Sequence, residues 1–486
     1  GARDRAQRVR QVLFNSYVFG AFALVVFAVY FLGLPWRVRK LFLLAMSYLF
    51  YAAWNAPYLL LILASTLLDF WAAQRLAAAR GRLGRQAFLM LSLAGNLGVL
   101  SYFKYGGFAL AEGTALLARI GIVYEPMEWS VLLPIGISFY TFQTLSYTID
   151  VYRGRIAPTR SLADFALYVT FFPQLVAGPI VRARKFMPQL AQPPAITAEA
   201  FGWGLTLVLI GLFQKVFVAD GLMAPITDRV FAAEGLLPAI TVIAGLSAFG
   251  VQILCDFSGY SLIAIGLAQC LGFSLPENFR APAASIGYRD LWQRWHISLS
   301  SWFRDYVYAP LRGRGKGRHS LARILPAQLA TMTLIGLWHG AGWTFILWGA
   351  YNGAILALET VLRRIVGHWT IWQGRAMKLC FILITAGLFA FSGSLFRARD
   401  LDHTADLWAS LVRPAELNLY PSTGDFAILA LTHVVLMSLH IALRRRRLAT
   451  IAETLPIPAR LALVTLMMSA IALVGGENEA FIYFQF

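Results

Sequence analysis

Thr333-Leu-Ile-Gly-Leu-Trp-His-Gly-Ala-Gly-Trp-Thr-Phe-Ile-Leu-Trp-Gly-Ala-Tyr-Asn352 decides the fold class and points to the chemistry. His339 is the one side chain in it that titrates near neutral pH; its neighbours are apolar, small or aromatic. An ionisable group inside a membrane-grade apolar run costs free energy unless it faces a polar cavity, so a functional role is the default expectation for His339.

Runs of the same grade recur along the whole chain. With 486 residues, 58% hydrophobic and only 14% charged, and a mean hydropathy of +0.63, the apolar side chains exceed what one soluble core can bury. The composition is that of an all-α polytopic membrane protein. Cys255, Cys270 and Cys380 have no paired or metal-type spacing, so neither a disulfide framework nor a metal site is expected. The net charge of +18 does not point to nucleic acid. Its Lys and Arg residues cluster in short loops between apolar runs, the signature of cytoplasmic loops beside anionic lipid. The first run, about Val12–Leu34, is too long for a signal-peptide core and reads as a retained span.

Further spans are expected near Leu41–Trp54, Tyr58–Ala79, Ala87–Phe103, Val131–Val151, Phe201–Val218, Ile240–Cys255, Ile324–Trp338, Trp343–Val361, Met377–Phe396, Phe426–Leu443 and Leu461–Val474. Phe165–Ile180 and Phe257–Phe273 are shorter and interrupted by Pro or Gly, and are expected to be re-entrant or half-spanning. The basic loops fall on the cytoplasmic side if the first span runs from outside to inside and both termini lie outside. That leaves Arg3, Arg5, Arg8 and Arg10 external, against the rule. Residues 1–486 read as a single membrane domain, without linker, repeat or low-complexity segment.

The largest polar excursion, 276–323, is expected to be a cytosol-facing catalytic and donor-binding region. It contains Arg289-Asp-Leu-Trp-Gln-Arg-Trp-His-Ile-Ser-Leu-Ser-Ser-Trp-Phe-Arg-Asp-Tyr-Val-Tyr308. A helix starting near His296 would place His296, Ser300 and Phe303 on one side. The same pattern also fits a plain amphipathic helix at the membrane surface.

Taken together, Arg294-Trp-His-Ile-Ser-Leu-Ser-Ser-Trp-Phe-Arg-Asp-Tyr306 and Leu337-Trp-His-Gly-Ala-Gly-Trp-Thr-Phe-Ile-Leu-Trp-Gly349 resemble the membrane-bound O-acyltransferases (MBOATs). The likeness is closest to the bacterial branch that includes the alginate O-acetylation membrane protein. It extends through Gly136–Gly154, Phe172–Ile180, Cys255–Tyr260, Pro276-Glu-Asn-Phe279 and the terminal Phe481-Ile-Tyr-Phe-Gln-Phe486, and so covers nearly the whole chain. It implies a ring of about 11–12 transmembrane helices with re-entrant segments around a central catalytic cavity. It also implies that His296 and His339 are the functional pair, His339 being the catalytic one. One departure is Leu262, where the family pattern has an acidic residue after Gly-Tyr-Ser, which leaves Asp256 as the acidic group of that stretch.

The chemistry of acyl transfer to a hydroxyl fits such a pair. The hydroxyl proton must leave as the oxygen attacks a thioester, and an imidazole such as that of His339 suits a general base. Candidates to stabilise the oxyanion or orient the base are His296, Ser298, Asn352, Asp256 and the backbone amides near Gly340. Arg312, Arg314, Lys316 and Arg318 either neutralise the phosphates of coenzyme A or form an ordinary positive-inside loop; they lack the P-loop pattern. His433 and His440, seven apart in one span, read as packing or cavity-lining residues. In 481–486, Tyr483 is a candidate acyl relay, with an aromatic interfacial anchor as the bland alternative.

The resemblance implies an inner-membrane O-acetyltransferase that draws on cytosolic acetyl-CoA and serves an exported, alginate-like polysaccharide. No permanently bound cofactor is expected. The chain has no Gly-x-Ser-x-Gly elbow or hydrolase-like domain for the final transfer, so a periplasmic or membrane-anchored acetyltransferase partner is implied. Two other readings stay open: transfer of D-alanine or another acyl group from a carrier protein to a cell-wall polymer, and a transporter or channel with a histidine gate.

Overall fold

The computed structural model describes residues 14–126, 129–176, 178–313, 320–367 and 374–474. All the regular elements among them are helices. Nine segments of the described chain are long and apolar enough to cross a membrane: Trp36–Ala78, Arg82–Arg119, Ala198–Ala232, Ala239–Cys270, Leu321–His339, Trp343–Val366, Arg375–Arg397, Thr423–Leu443 and Ile457–Val474. The first is broken by a 3-10 turn at Ala56-Pro57-Tyr58 into two helices, Trp36–Asn55 and Leu59–Ala78. Each has 20 residues, which at about 1.5 Å per residue matches a hydrocarbon core of about 30 Å. A shorter apolar helix, Tyr17–Tyr30, precedes them, its N-terminus capped by the Ser16 hydroxyl accepting from the Phe19 amide at 3.1 Å. The protein is a polytopic, all-helical membrane protein.

One expectation is overturned. Phe257–Phe273 is not a separate interrupted segment, because residues through Cys270 continue the helix Ala239–Cys270 without a break. Gly259, which suggested an interruption, serves packing instead. A Cβ there would lie 2.7 Å from the carbonyl oxygen of Gly211, so the glycine lets two backbones touch. Phe165–Ile180 is broken as expected, into Leu162–Thr170 and the single turn Phe172–Leu175 with Pro173 inside it.

The Cα framework forms two compact units, the first from described parts of Gly1–Leu205 and Ala264–Pro276, the second from those of Thr206–Ile263 and Glu277–Phe486. Within the first, Asp69 is fully buried on Leu59–Ala78. A lone carboxylate there would be expensive. It accepts hydrogen bonds from Ser92 Oγ, from Asn96 Nδ2 at 2.7 Å and from Thr148 Oγ1 at 2.9 Å, so three helices are tied to one acceptor. Within the second unit, Leu321–His339 and Trp343–Val366 run backbone to backbone. A Cβ on Gly336 would sit 2.1 Å from the Phe345 carbonyl oxygen, and one on Gly349 would sit 2.4 Å from that of Met332. These two glycines set the spacing on which the site depends.

Candidate active site

His339 is the last residue of its helix. Its ring is enclosed edge to face by Trp348 at 5.2 Å and Phe396 at 5.2 Å, and by Trp338 at 4.8 Å between centroids. The Trp348 indole is itself fixed, its Nε1 donating to Ser392 Oγ at 3.2 Å. Gly340 lets the chain leave the helix against the Phe345 ring, which a Cβ would meet at 2.2 Å. The Gly340 amide donates to the Gly336 carbonyl at 3.3 Å, so it closes the helix and is not free to stabilise an oxyanion. The imidazole is 5% exposed, in a water-poor aromatic cage.

His296 lies just outside the short helix Ile297–Phe303, as its N-cap, with φ 41 and ψ 54. The helix therefore begins one residue later than expected, and the histidine adopts a left-handed conformation that costs a non-glycine residue about 1–2 kcal/mol. Asn278 holds this turn with both its main chain and its side chain. Its backbone carbonyl accepts from the Ile297 amide at 2.8 Å. Its Oδ1 accepts from the Ser298 amide at 3.3 Å and Ser298 Oγ at 2.9 Å, and lies 3.0 Å from His296 Nδ1. Its Nδ2 donates to Ser261 Oγ at 3.0 Å. A backbone amide can only donate, so the atom facing Ser298 must be the oxygen, and Nδ1 must then carry the ring proton it shares with that oxygen. Nε2 is left with its lone pair, buried and without a hydrogen-bond partner among the described residues.

Around this ring stand Phe257 at 4.6 Å, Phe279 at 6.4 Å and Trp338 at 6.0 Å between centroids. Burial pushes the imidazole down to about 3, so it is neutral throughout the physiological range. The Trp338 indole thus touches both histidines, and the two imidazoles predicted to work together flank one aromatic plate.

Asp256, one residue before Phe257, points to a different group. It pairs with Lys215 at 2.6 Å, and Lys215 also pairs with Asp220 at 2.8 Å and lies 5.7 Å from the Tyr260 ring centre. Lys215 and Asp220 stand on Phe213–Met223, a stretch wound as π-helix, a geometry frequent at functional sites. The helix carrying Asp256 therefore has the ion pair at one position and the His296 contact at the next.

The structure gives the other candidates the following places. The Ser298 hydroxyl donates to Asn278 Oδ1 at 2.9 Å. Asn352 is fully buried and donates to the Trp348 carbonyl at 2.7 Å, one turn from the indole that packs on His339. Arg312 lies over the Tyr308 ring at 5.6 Å. Arg314, Lys316, Arg318 and Tyr483 lie outside the described residues. His433 lines a largely apolar cavity of about 250 Å³ with Gly250, Leu254, Trp295 and Phe389, and His440 Nδ1 accepts from the Ala283 amide at 3.1 Å. Sequence reasoning passed over Asn278. Its signal was its place in Pro276-Glu-Asn-Phe279, one of the motifs that carry the family resemblance. No cluster able to hold a metal ion occurs among the described residues.

Comparison with known proteins places this arrangement. Residues 156–396, which include both histidines and Asn278, match the model of the membrane-bound O-acyltransferase family. A probable alginate O-acetylase AlgI of Azotobacter vinelandii is 40% identical over 437 residues, 89% of this chain and 82% of the relative. A peptidoglycan O-acetyltransferase of Helicobacter pylori is 32% identical over 83% of this chain and 80% of its own. A teichoic acid D-alanyltransferase of Bacillus subtilis is 27% identical over 54% of this chain and 69% of its own. Two histidines packed on one indole in a polytopic helical protein, with similarity of this extent, lead to one conclusion: the chain belongs to the membrane-bound O-acyltransferase family.

Proposed function

We propose that the protein is an inner-membrane O-acetyltransferase that takes acetyl from cytosolic acetyl-CoA and passes it across the membrane for O-acetylation of an exported, alginate-like polysaccharide. An extracytoplasmic acetyltransferase partner makes the last transfer. The observation that carries the reading is the pair of buried imidazoles on Trp338, one with an open nitrogen lone pair. Acetyl is favoured over other acyl groups because relatives named as O-acetylases are matched over 82% and 80% of their length.

In this reaction the acceptor oxygen attacks the thioester carbonyl carbon while its proton passes to an imidazole nitrogen of the pair. The tetrahedral oxyanion collapses, the C–S bond breaks, and the imidazolium returns the proton to the departing thiolate. Products are the acetyl ester and free coenzyme A thiol. The aromatic cage excludes the water that would otherwise compete as acceptor.

The test is release of coenzyme A from acetyl-CoA by detergent-purified protein with a hydroxyl acceptor. Removing a general base costs about 10²–10⁴-fold, so a folded His339→Ala variant should lose activity by that factor. A variant as active as wild type overturns the reading. The teichoic acid D-alanyltransferase similarity supports a second reading, which the same assay separates: D-alanine consumed from a carrier protein while acetyl-CoA is left intact.

A further inference from the structure

We propose that the apolar cavity lined by Trp295, Phe389 and His433 is a binding site for a phospholipid with an anionic headgroup. Its hydrocarbon chain enters from the bilayer, and its headgroup lies on Arg445, Arg446 and Arg447. The bound chain braces a wall of the histidine cage. Its effect on turnover rests on the acyl-transfer reading above; its binding does not.

The cavity, about 250 Å³, lies within the second unit, where Ser247 to Leu254 of the helix Ala239–Cys270 face the helices Arg375–Arg397 and Thr423–Leu443. Its polar side chains are already engaged. The Thr385 hydroxyl donates to the Phe381 carbonyl at 2.6 Å and accepts from the Gly287 amide at 2.9 Å. His433 Nδ1 donates to the Leu429 carbonyl at 2.8 Å, since a carbonyl oxygen can only accept. Water in such a space needs about 2–4 polar partners. Hydrocarbon needs none. Leu383, on the cavity wall, is 58% exposed and stands on a membrane-crossing helix, so the cavity reaches the lipid-facing surface.

Charge selects the headgroup. One end of the cavity is closed by Ala283, whose amide donates to His440 Nδ1 at 3.1 Å. Arg444, one turn further along the same helix, donates to the Ala284 carbonyl and pairs with Asp290 at 2.7 Å. Arg445, Arg446 and Arg447 follow, all exposed. No acidic residue occurs between Asp425 and Glu453, so these three have no counter-charge along their own stretch of chain. Arginines clustered at the end of a membrane span attract anionic lipid. The opposite wall reaches the histidine site. Ser392, one turn beyond Phe389, donates to the Phe389 carbonyl at 2.7 Å and accepts from the Trp348 indole at 3.2 Å. Trp348 packs on His339, and a gap of about 20 Å³ lies among Phe389, Trp348 and Phe396. A chain seated against Phe389 therefore supports the helix that positions Ser392 and Phe396.

The experiment uses the full chain, with phosphatidylcholine and phosphatidylglycerol as probes. Mass spectrometry of the detergent-purified protein should find a phospholipid retained on each chain, phosphatidylglycerol in preference to phosphatidylcholine. In nanodiscs, phosphatidylglycerol should raise the melting midpoint and coenzyme A release above those in phosphatidylcholine alone. A Cβ on Gly250 meets only Ala390 Cβ, at 3.8 Å, so Gly250→Leu has room to extend into the cavity. This variant should melt no lower than wild type in detergent, yet retain far less lipid and gain nothing from phosphatidylglycerol. Changing Arg445, Arg446 and Arg447 to Gln should leave lipid bound but weaken the preference for the anionic headgroup, by about fivefold per arginine. A wild-type chain that retains no phospholipid overturns the proposal, as does a Gly250→Leu protein that retains as much as wild type. A triple variant with the wild-type preference overturns the headgroup assignment. Retention and melting need no acyl donor, so they stand or fall apart from the function above; lipid that binds without changing coenzyme A release overturns the bracing alone.

Discussion

Gly349→Ala tests the claim that backbone spacing, more than any side chain, holds the histidine site in register. The added Cβ would lie 2.4 Å from the Met332 carbonyl oxygen, 2.8 Å from Thr333 Cα and 3.1 Å from Gly336 Cα. All three are backbone atoms, which cannot rotate away. Ordinary contact distances are about 3.5 Å, so Leu321–His339 and Trp343–Val366 must part by roughly 1 Å. Overpacking of this kind costs about 1–3 kcal/mol. The catalytic cost is larger, because His339 ends one helix and Trp348, 5.2 Å from its ring centre, stands on the other. A displacement of about 1 Å in a positioned catalytic group can cost about 100-fold. Two controls calibrate the effect. A Cβ on Gly353, in the same helix, meets Leu329 Cα and Met332 Cβ at 3.1 Å; one on Gly387 meets nothing within 4 Å. Thermal unfolding in detergent and coenzyme A release should therefore rank the variants Gly387→Ala, Gly353→Ala, Gly349→Ala from least to most damaged. Gly387→Ala should be neutral or slightly stabilising through helix propensity. If Gly349→Ala unfolds and turns over like Gly387→Ala, the spacing argument is wrong.

Three further outcomes follow from buried polar groups. Lys215→Met strands Asp256 and Asp220 without their cation; breaking one partner of a buried pair costs about 3–5 kcal/mol, and adding Asp256→Leu should recover part of the lost midpoint. A double variant less stable than the single one contradicts this. Asp69→Leu leaves the donors of Ser92, Asn96 and Thr148 without their acceptor, at about 1–3 kcal/mol per stranded group, and should lower the midpoint more than Asp69→Asn; equal losses would mean that the network contributes little. For pH, His296 titrates near 6.5 when unfolded but at about 3 in the fold. Between those values the unfolded chain binds the extra proton, so the neutral ring's contribution is fully present above 6.5 and is lost as pH falls toward 3, by about 1.4 kcal/mol per unit. The stability difference between wild type and His296→Gln should shrink over that window, and a constant difference refutes the assignment.

The helices were legible because hydrocarbon imposes one rule, a run of about 20 apolar residues. Their ends were less so. Ala87–Phe103 was expected where the helix runs Arg82–Arg119, since hydropathy registers the apolar middle and not polar turns that continue beyond it. His339 stood out because a titratable ring among Leu, Trp and Gly is conspicuous at short range. What sequence could not supply were pairings across distance. Lys215 meets Asp256 across 41 positions of chain, and Asn278 meets His296 across 18. Gly259 misled for the same reason: within one helix a glycine reads as a break, and only the approach of Gly211 shows that it is a contact.

Backbone strain is concentrated in the segment that carries His296. Among the described residues, the only non-glycine positions with positive φ are Ala281 at 47 and His296 at 41. Both fall in the polar excursion that carries Asn278. A left-handed non-glycine residue persists only where its surroundings over-determine it, and such residues concentrate at functional sites. At His296 the determining contacts are the Ile297 amide on the Asn278 carbonyl at 2.8 Å, and the Ser298 amide and hydroxyl on Asn278 Oδ1. The same turn gives the ring a fixed donor on Nδ1 and leaves Nε2 buried and open. At this position the strain is thus retained in the turn that Asn278 fixes, beside one of the two imidazoles that flank Trp338.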